Sequence, residues 1–272
     1  MIIKRPGDEA ICIAPDNILA ATDNYNLYFG RGEHSADAVL CRVVQDKSLN
    51  GKMYVEQKHL KELARLSCEL EIERIERMGD DGHKIHYDWL FPVCNQSFSC
   101  PQLDGRRVNI FEVLDASWDD FIPFSKLRGS TKVDAKSAAW VLGRFLKLQT
   151  FLDESKSCCG LEFNSDMVLV DPKAHRVVYM GWFDDLVRSG SSTNPKLNIS
   201  RMINVIYAWI EKNETAGELE YLDWLKKNQD SFTSGLDAHV AYYEFLNELW
   251  GKGYHPFTFK KDGVWKNVKN YV

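Results

Sequence analysis

From Asp134 to Leu152 the sequence places Ala138, Val141, Leu142, Phe145, Leu148 and Leu152 at helical spacing, and the apolar stripe they form is continuous. A stripe this broad belongs to a deeply buried helix rather than to one lying on a surface. Thr131-Lys-Val-Asp134 supplies polar side chains that can cap its first turn. Any fold for this chain must therefore build its other elements around this helix.

Those elements differ on the two sides of it. Upstream, Ala10 to Ala14, Tyr25 to Phe29 and Ala38 to Val44 read as short strands, with Pro15-Asp16-Asn17 as a turn. A helix is predicted from about Gly51 to Arg74, where Met53, Leu60, Leu63, Ala64 and Leu70 share a face. Two further strands are expected near Lys84 to Pro92 and Arg107 to Leu114, separated by a polar segment with Pro101 and Asp104-Gly105. Downstream, Val168 to Val170 and Arg176 to Met180 form a hairpin across Asp171-Pro172. Helices follow at Leu197 to Lys212, Leu219 to Lys227 and Ala238 to Trp250, the last ending before Gly251 and Gly253. Strands first and helices later predict an α+β chain of two lobes, residues 1–115 and 116–272, with the boundary near Leu114 to Ser117.

Charge and composition remove several classes of function. The net charge is −5, and nucleic-acid or bilayer binding needs a basic field. Lys260, Lys261, Lys266 and Lys269 alternate with aromatics and Asp262 and read as a solvated tail. The first ten residues carry charges and no long apolar run, so no targeting segment is expected, and no run of about eighteen apolar residues occurs. Seven cysteines, odd in number and irregular in spacing, suit reduced thiols in a cytoplasm. Cys94 with Cys100, the adjacent Cys158-Cys159, and His83 with His86 do not make a metal-binding pattern, so no metal site is expected. Of the eight tryptophans, Trp140 reads as core, while Trp118, beside Asp119 and Asp120, reads as a surface candidate for a partner.

The order of elements, with three particular stretches, resembles the protein kinases. Arg106-Arg-Val-Asn-Ile-Phe-Glu-Val-Leu114 is similar to the last small-lobe strand running into the hinge. Ala138 to Leu146, Asp166-Met-Val-Leu-Val-Asp-Pro172 and Arg176-Val-Val-Tyr-Met-Gly-Trp182 resemble the long helix, catalytic loop and metal-binding strand of divergent kinase-like proteins of bacteria and bacteriophage. Tyr242 to Phe259 resembles their terminal helix and tail. The resemblance implies ATP as the ligand, its adenine against the backbone of Phe111, Glu112 and Val113. It also implies a phosphate-covering turn at Gly30, Gly32 and Ser35, although the same glycine pair suits a plain hairpin. Arg42, with Lys47 as the fallback, stands for the phosphate-holding cation. Glu56 stands for the helix carboxylate that pairs with it, its alternative being a solvated helix charge.

The catalytic signature departs from the family. In Cys159-Gly-Leu-Glu-Phe-Asn-Ser-Asp-Met167 one register puts Leu161 and Asp166 in the base and metal-ligand positions, the other Glu162 and Met167, and neither supplies both groups. Gly181 stands where the metal-binding Asp belongs, with Asp184 and Asp185 three and four residues on. A short link with Ser189, Ser191, Ser192 and Thr193 replaces the substrate-docking segment. The expectation is a pseudokinase that binds another protein, with no confident catalytic residue. The alternatives are an atypical kinase using Glu162, Asp166 and Asp184 around a shifted metal, and an unrelated structural or assembly protein.

Overall fold

The computed structural model describes residues 1–4, 10–14, 17–33, 38–78, 87–155, 161–187, 194–212, 215–251, 253 and 255–267. The chain divides into two compact units, Met1–Phe121 with Val178–Ser189, and Ile122–Val177 with Gly190–Val272. The first unit runs past Leu114 to Ser117 as far as Phe121, and the Trp118 indole donates to the Phe111 carbonyl at 2.8 Å.

Unit 1 is a curled antiparallel sheet with one long helix. Its strands are β1 (Ile2–Lys4), β2 (Ala10–Cys12), β3 (Ile18–Ala21), β4 (Tyr25–Gly32), β5 (Ala38–Val44), β6 (Val93–Cys100) and β7 (Arg106–Glu112). They run in the order β1-β2-β4-β5-β7-β6, with β3 added on β4. Period-two alternation sends Cys41 and Val43 of β5, with Val108 and Ile110 of β7, into an apolar cluster on one face. The other face, with Leu40, Arg42 and Asn109, meets α1 (Asn50–Met78), whose Met53, Glu56, Leu60 and Leu63 recur at helical spacing and are all buried.

Two upstream expectations need correction. The strand expected at Lys84 to Pro92 is instead β6, one element later. Tyr87–Leu90 is a single 3₁₀ turn, and residues 84–86, with His83, lie outside the described residues. The polar stretch through Asn95, Gln96, Ser97 and Ser99 is a strand because β7 pairs along its length; the Asp104-Gly105 turn, both residues at positive φ, sets that hairpin.

Unit 2 is built around the predicted buried helix, α3 (Ala135–Ser155). Its Leu142, Phe145 and Phe151 are fully buried, and so are the polar Ser137, Gln149 and Thr150. Around it lie α2 (Phe124–Ser130), α5 (Pro195–Trp209), α6 (Ala216–Asn228) and α7 (Gly235–Trp250). Asn198 of α5 donates to Gln149 Oε1 (3.0 Å) and the Leu161 carbonyl (2.9 Å) and accepts from the Phe163 amide (2.8 Å). That network fixes the chain ahead of β10 (Val168–Asp171), the middle strand between β8 (Ile122–Pro123) and the start of β11 (Arg176–Tyr179). Asp171 closes the β10–β11 turn by accepting from the amides of Lys173 (2.9 Å) and Ala174 (3.1 Å).

The C-terminal segment is not the expected solvated tail. β12 (Thr258–Lys261) and β13 (Val264–Asn267) form a hairpin through Asp262 and Gly263, both at positive φ, and β12 pairs with β9 (Lys132–Val133). Phe257 and Phe259 are fully buried, and Lys260 is ion-paired with Glu211 at 2.6 Å. Lys269 lies outside the described residues.

Candidate functional site

A buried polar cluster of unit 1 forms around Arg42. β5 places its side chain on the helix-facing side of the sheet, opposite Leu27 of β4 and Asn109 of β7. Arg42 is fully buried and its guanidinium forms an ion pair with Glu56, which is 1% exposed. Asn109 Nδ2 donates to the second Glu56 oxygen (2.8 Å) and to the Met53 carbonyl (2.9 Å), so β7 orients the carboxylate that α1 supplies. The guanidinium also donates to the Met180 carbonyl. Three rings surround its faces, with centroids 4.4 Å (Tyr25), 5.3 Å (Phe111) and 5.5 Å (Phe183) away. Burial pulls the Arg42 pKa below the ordinary arginine range, while Tyr25 and Asp184 act in the opposite sense. The cation is fully buried among a carboxylate, a carbonyl and aromatic faces, while its Nε has no hydrogen-bond partner among the described residues.

The segment that meets Arg42 is the one in which a metal-binding carboxylate was sought. Gly181 carries none. A Cβ built there would stand 2.3 Å from the Tyr179 hydroxyl, so the space beside Gly181 is already filled by a phenol. Trp182 and Phe183, the first residues of α4 (Trp182–Val187) after the overlapping turn at Gly181, are fully buried. The Trp182 indole donates to the Tyr179 carbonyl (2.6 Å) and its ring meets Phe91 edge-on. Asp184 accepts from the Tyr25 hydroxyl at 3.0 Å. Burial holds the Tyr25 pKa above the ordinary tyrosine range, which keeps that hydroxyl a neutral donor.

The other predicted site residues are more scattered. Gly30 and Gly32 are not in a turn: both lie in β4, where Gly30 pairs with Val39, and Ser35 lies outside the described residues. A Cβ at Gly30 would come within 2.5 Å of the Ile11 side chain, so this glycine admits a close neighbour across the sheet. Lys47 sits in a 3₁₀ turn and makes an exposed ion pair with Asp104 (3.2 Å). Glu112 ends β7 and is exposed, with Val113 next to it. The Phe111 carbonyl just before them accepts the Trp118 indole N–H at 2.8 Å. Trp118 is 4% exposed, so it is a buried strut for the strand end and not the surface residue expected of it.

Glu162 and Asp166 belong to unit 2 and both are exposed. Glu162 accepts from Arg201 (3.2 Å); Asp166 lies 3.7 Å from Arg128 in a 3₁₀ turn capped by Asn164. Among the described residues no three His, Cys, Asp or Glu side chains converge. Cys159, Gly160 and the link from Ser189 to Thr193 lie outside the described residues.

Sequence reasoning missed Tyr25, Asn109, Phe183 and the burial of Glu56. The signals were present in part. Glu56 interrupts the 53–60–63 stripe at a core-facing position, and Asn109 is the one polar residue in Val108-Asn-Ile-Phe111. A polar residue at an apolar period needs a partner, and these two partner each other.

No family model matches the sequence, and no curated protein matches it. Solved structures do match. The structure of vaccinia related kinase 3 aligns with a TM-score of 0.54 over 92% of this chain and 90% of that one, at 10% identity. This is a protein-kinase-like fold. The kinase domain of PknI from Mycobacterium tuberculosis aligns over 84% of this chain and 94% of that one, with 8% identity and a TM-score of 0.45. No helix among the described residues is long and apolar enough to cross a membrane.

Proposed function

We propose that this chain is a catalytically degenerate kinase-like protein that acts by binding another protein, with no phosphoryl transfer of its own. The observation that carries this reading is the closed shell of Arg42. In a kinase the strand cation and the helix carboxylate pair so that the cation is held out to the nucleotide phosphates. Here the same pair is turned inward onto Met180, with rings on its faces, and Gly181 offers no metal ligand. Phosphoryl transfer is mostly positioning and neutralisation of developing charge, and both depend on groups that are spent or missing. The Phe111 carbonyl, in the stretch to which the resemblance assigns adenine, already accepts the Trp118 indole N–H.

The test is nucleotide binding and turnover on the purified chain, measured by calorimetry and by phosphate release with and without magnesium. The expected result is no magnesium-dependent ATP affinity and no turnover above a buffer blank, unchanged by Asp166→Ala or Asp184→Ala. Magnesium-dependent binding with turnover that either substitution abolishes would overturn the proposal in favour of a kinase with rearranged ligands.

A further inference from the structure

Unit 2 carries a groove that the kinase-like reading does not use. It encloses about 440 Å³ between the first turns of α3, the β10–β11 turn and the C-terminal end of α7. Its walls are aromatic. Trp140 stacks on His175 with ring centroids 4.6 Å apart and planes 9° from parallel, and Tyr243 and Trp250 of α7 also line the groove. His175 is locked in place: it has φ 54°, and its carbonyl accepts from Arg144 Nε at 3.1 Å. Burial beside Arg144 and His255 lowers the His175 pKa to about 4, so the stacked ring is neutral at physiological pH. The sequence suggested Trp140 as core; it is instead half-buried, a wall of this groove.

One lysine carries charge on this groove. Lys136 is exposed, lies 5.6 Å over the Trp250 ring and makes no ion pair among the described residues. His255 turns its Nε2 to Asp134, and among the described residues no carboxylate lines this hollow. An adjoining hollow of about 410 Å³ shares Lys136, Trp250 and His255 and includes two acids. Both acids are engaged internally. Asp134 accepts from the Ser137 amide (2.6 Å), His255 (3.1 Å) and the Thr258 hydroxyl, and Glu218 accepts from Thr215 (2.6 Å). At the other end, Leu236, Val240 and Tyr243 are 39%, 47% and 38% exposed and follow one another at helical spacing on α7. Hollows and stripe together extend along α7 for about 20 Å, longer than a small metabolite needs.

We infer that this groove binds a short segment of a partner protein in which an aromatic residue is flanked by acidic ones. The ring would lie among Trp140, Tyr243 and Trp250, a flanking carboxylate would face Lys136, and apolar neighbours would follow the α7 stripe. The inference rests on the interaction-module reading, yet its test does not depend on ATP turnover: the chain can select such peptides or fail to, whichever way the turnover experiment falls.

The experiment is selection of displayed peptides with a central Trp, Tyr or Phe and random flanks on the full chain, with the Lys136→Glu chain as the parallel bait. Lys136 is exposed on the first turn of α3, and an unchanged circular dichroism melt would confirm that this variant folds. Asp and Glu should be enriched on the wild-type bait and lost, or replaced by Lys and Arg, on the variant. A selected peptide measured by fluorescence anisotropy should bind Lys136→Glu about tenfold more weakly, with a steep salt dependence. Absence of acidic enrichment, or equal affinity for the two proteins, would overturn the inference. Binding of free indole-3-acetate as tightly as the best peptide would overturn it too, since the groove would then be a metabolite site.

Discussion

Replacing Glu56 by Gln keeps the size of the side chain and removes its charge. In the folded protein Arg42 would remain fully buried, with a neutral amide in place of the carboxylate beside the Met180 carbonyl and three ring faces. Breaking a buried ion pair from one side costs about 3–5 kcal/mol, a large share of the roughly 5–15 kcal/mol that holds a domain together. The double replacement Arg42→Met with Glu56→Leu removes both charges at once. It still leaves the Met180 carbonyl without the Arg42 donor, and Asn109 Nδ2 with only the Met53 carbonyl, a residual cost of about 1–3 kcal/mol. The double variant should therefore be more stable than Glu56→Gln alone. Urea unfolding followed by tryptophan fluorescence and by far-ultraviolet circular dichroism would measure both. Glu56→Gln within about 1 kcal/mol of the parent would mean that the pair is solvated and the closed-shell argument fails. A loss in the double variant equal to the sum of the Arg42→Met and Glu56→Leu losses would refute it equally.

Other perturbations test other parts of the fold. Leu142→Ala and Phe145→Ala, both fully buried in α3, should each lower stability by about 2–5 kcal/mol in the same urea titration. Gly235→Ala should also be costly, by about 1–3 kcal/mol, because its Cβ would stand 2.4 Å from the Thr150 amide nitrogen and 2.5 Å from the Gln149 carbonyl carbon. Both contacts are backbone atoms of α3, so the expected sign is a lower thermal midpoint, and an unchanged one would show that α7 can shift freely. His175 is held neutral in the folded state, with its pKa lowered to about 4, while the unfolded chain takes up the proton near the ordinary histidine value. Stability should thus be unaffected by this group above about pH 6.5 and fall as pH drops from there towards 4. His175→Asn, which tolerates the positive φ, should flatten that slope in urea midpoints taken across the window.

How much of this was legible beforehand depended on whether the signal was periodic. The α3 stripe announced itself because nearly every turn of the helix repeats it, and the predicted Asp134 to Leu152 differs from Ala135–Ser155 by a residue or a few at each end. The hairpin from Val168 to Met180 was equally readable from apolar runs and an Asp-Pro turn. Misreadings arose where one residue type serves two geometries. Gly30 and Gly32 resemble a turn, and only the position of Ile11 on the neighbouring strand shows why they remain extended. The strand β6 was hidden by its serines and amides, since its place is set by pairing with β7 more than by its own propensity. The C-terminal hairpin had its Asp262-Gly263 signal in plain view, but the surrounding lysines resembled a solvated tail. For the site, Arg42 and Glu56 were identified as partners. That the pair points inward depends on Tyr25, Phe111 and Phe183, rings brought from three distant stretches of chain that no local pattern connects.

The first unit takes back Val178–Ser189 after the chain has built most of α3 and its surroundings, and this has a bearing on synthesis. A nascent chain released only as far as Phe121 has its sheet strands and α1, yet it lacks the Met180 carbonyl that Arg42 needs and the Trp182 and Phe183 rings that are fully buried in the finished unit. Those groups emerge some sixty residues later, roughly 3–13 seconds at ordinary translation rates. During that interval a cation and a carboxylate meant for a dry interior face water or a half-made core. The amino-terminal unit cannot complete its folding in the order in which it is made, and a fragment cut at Phe121 should behave as an open, aggregation-prone sheet until the missing strand end and helix are supplied to it in trans.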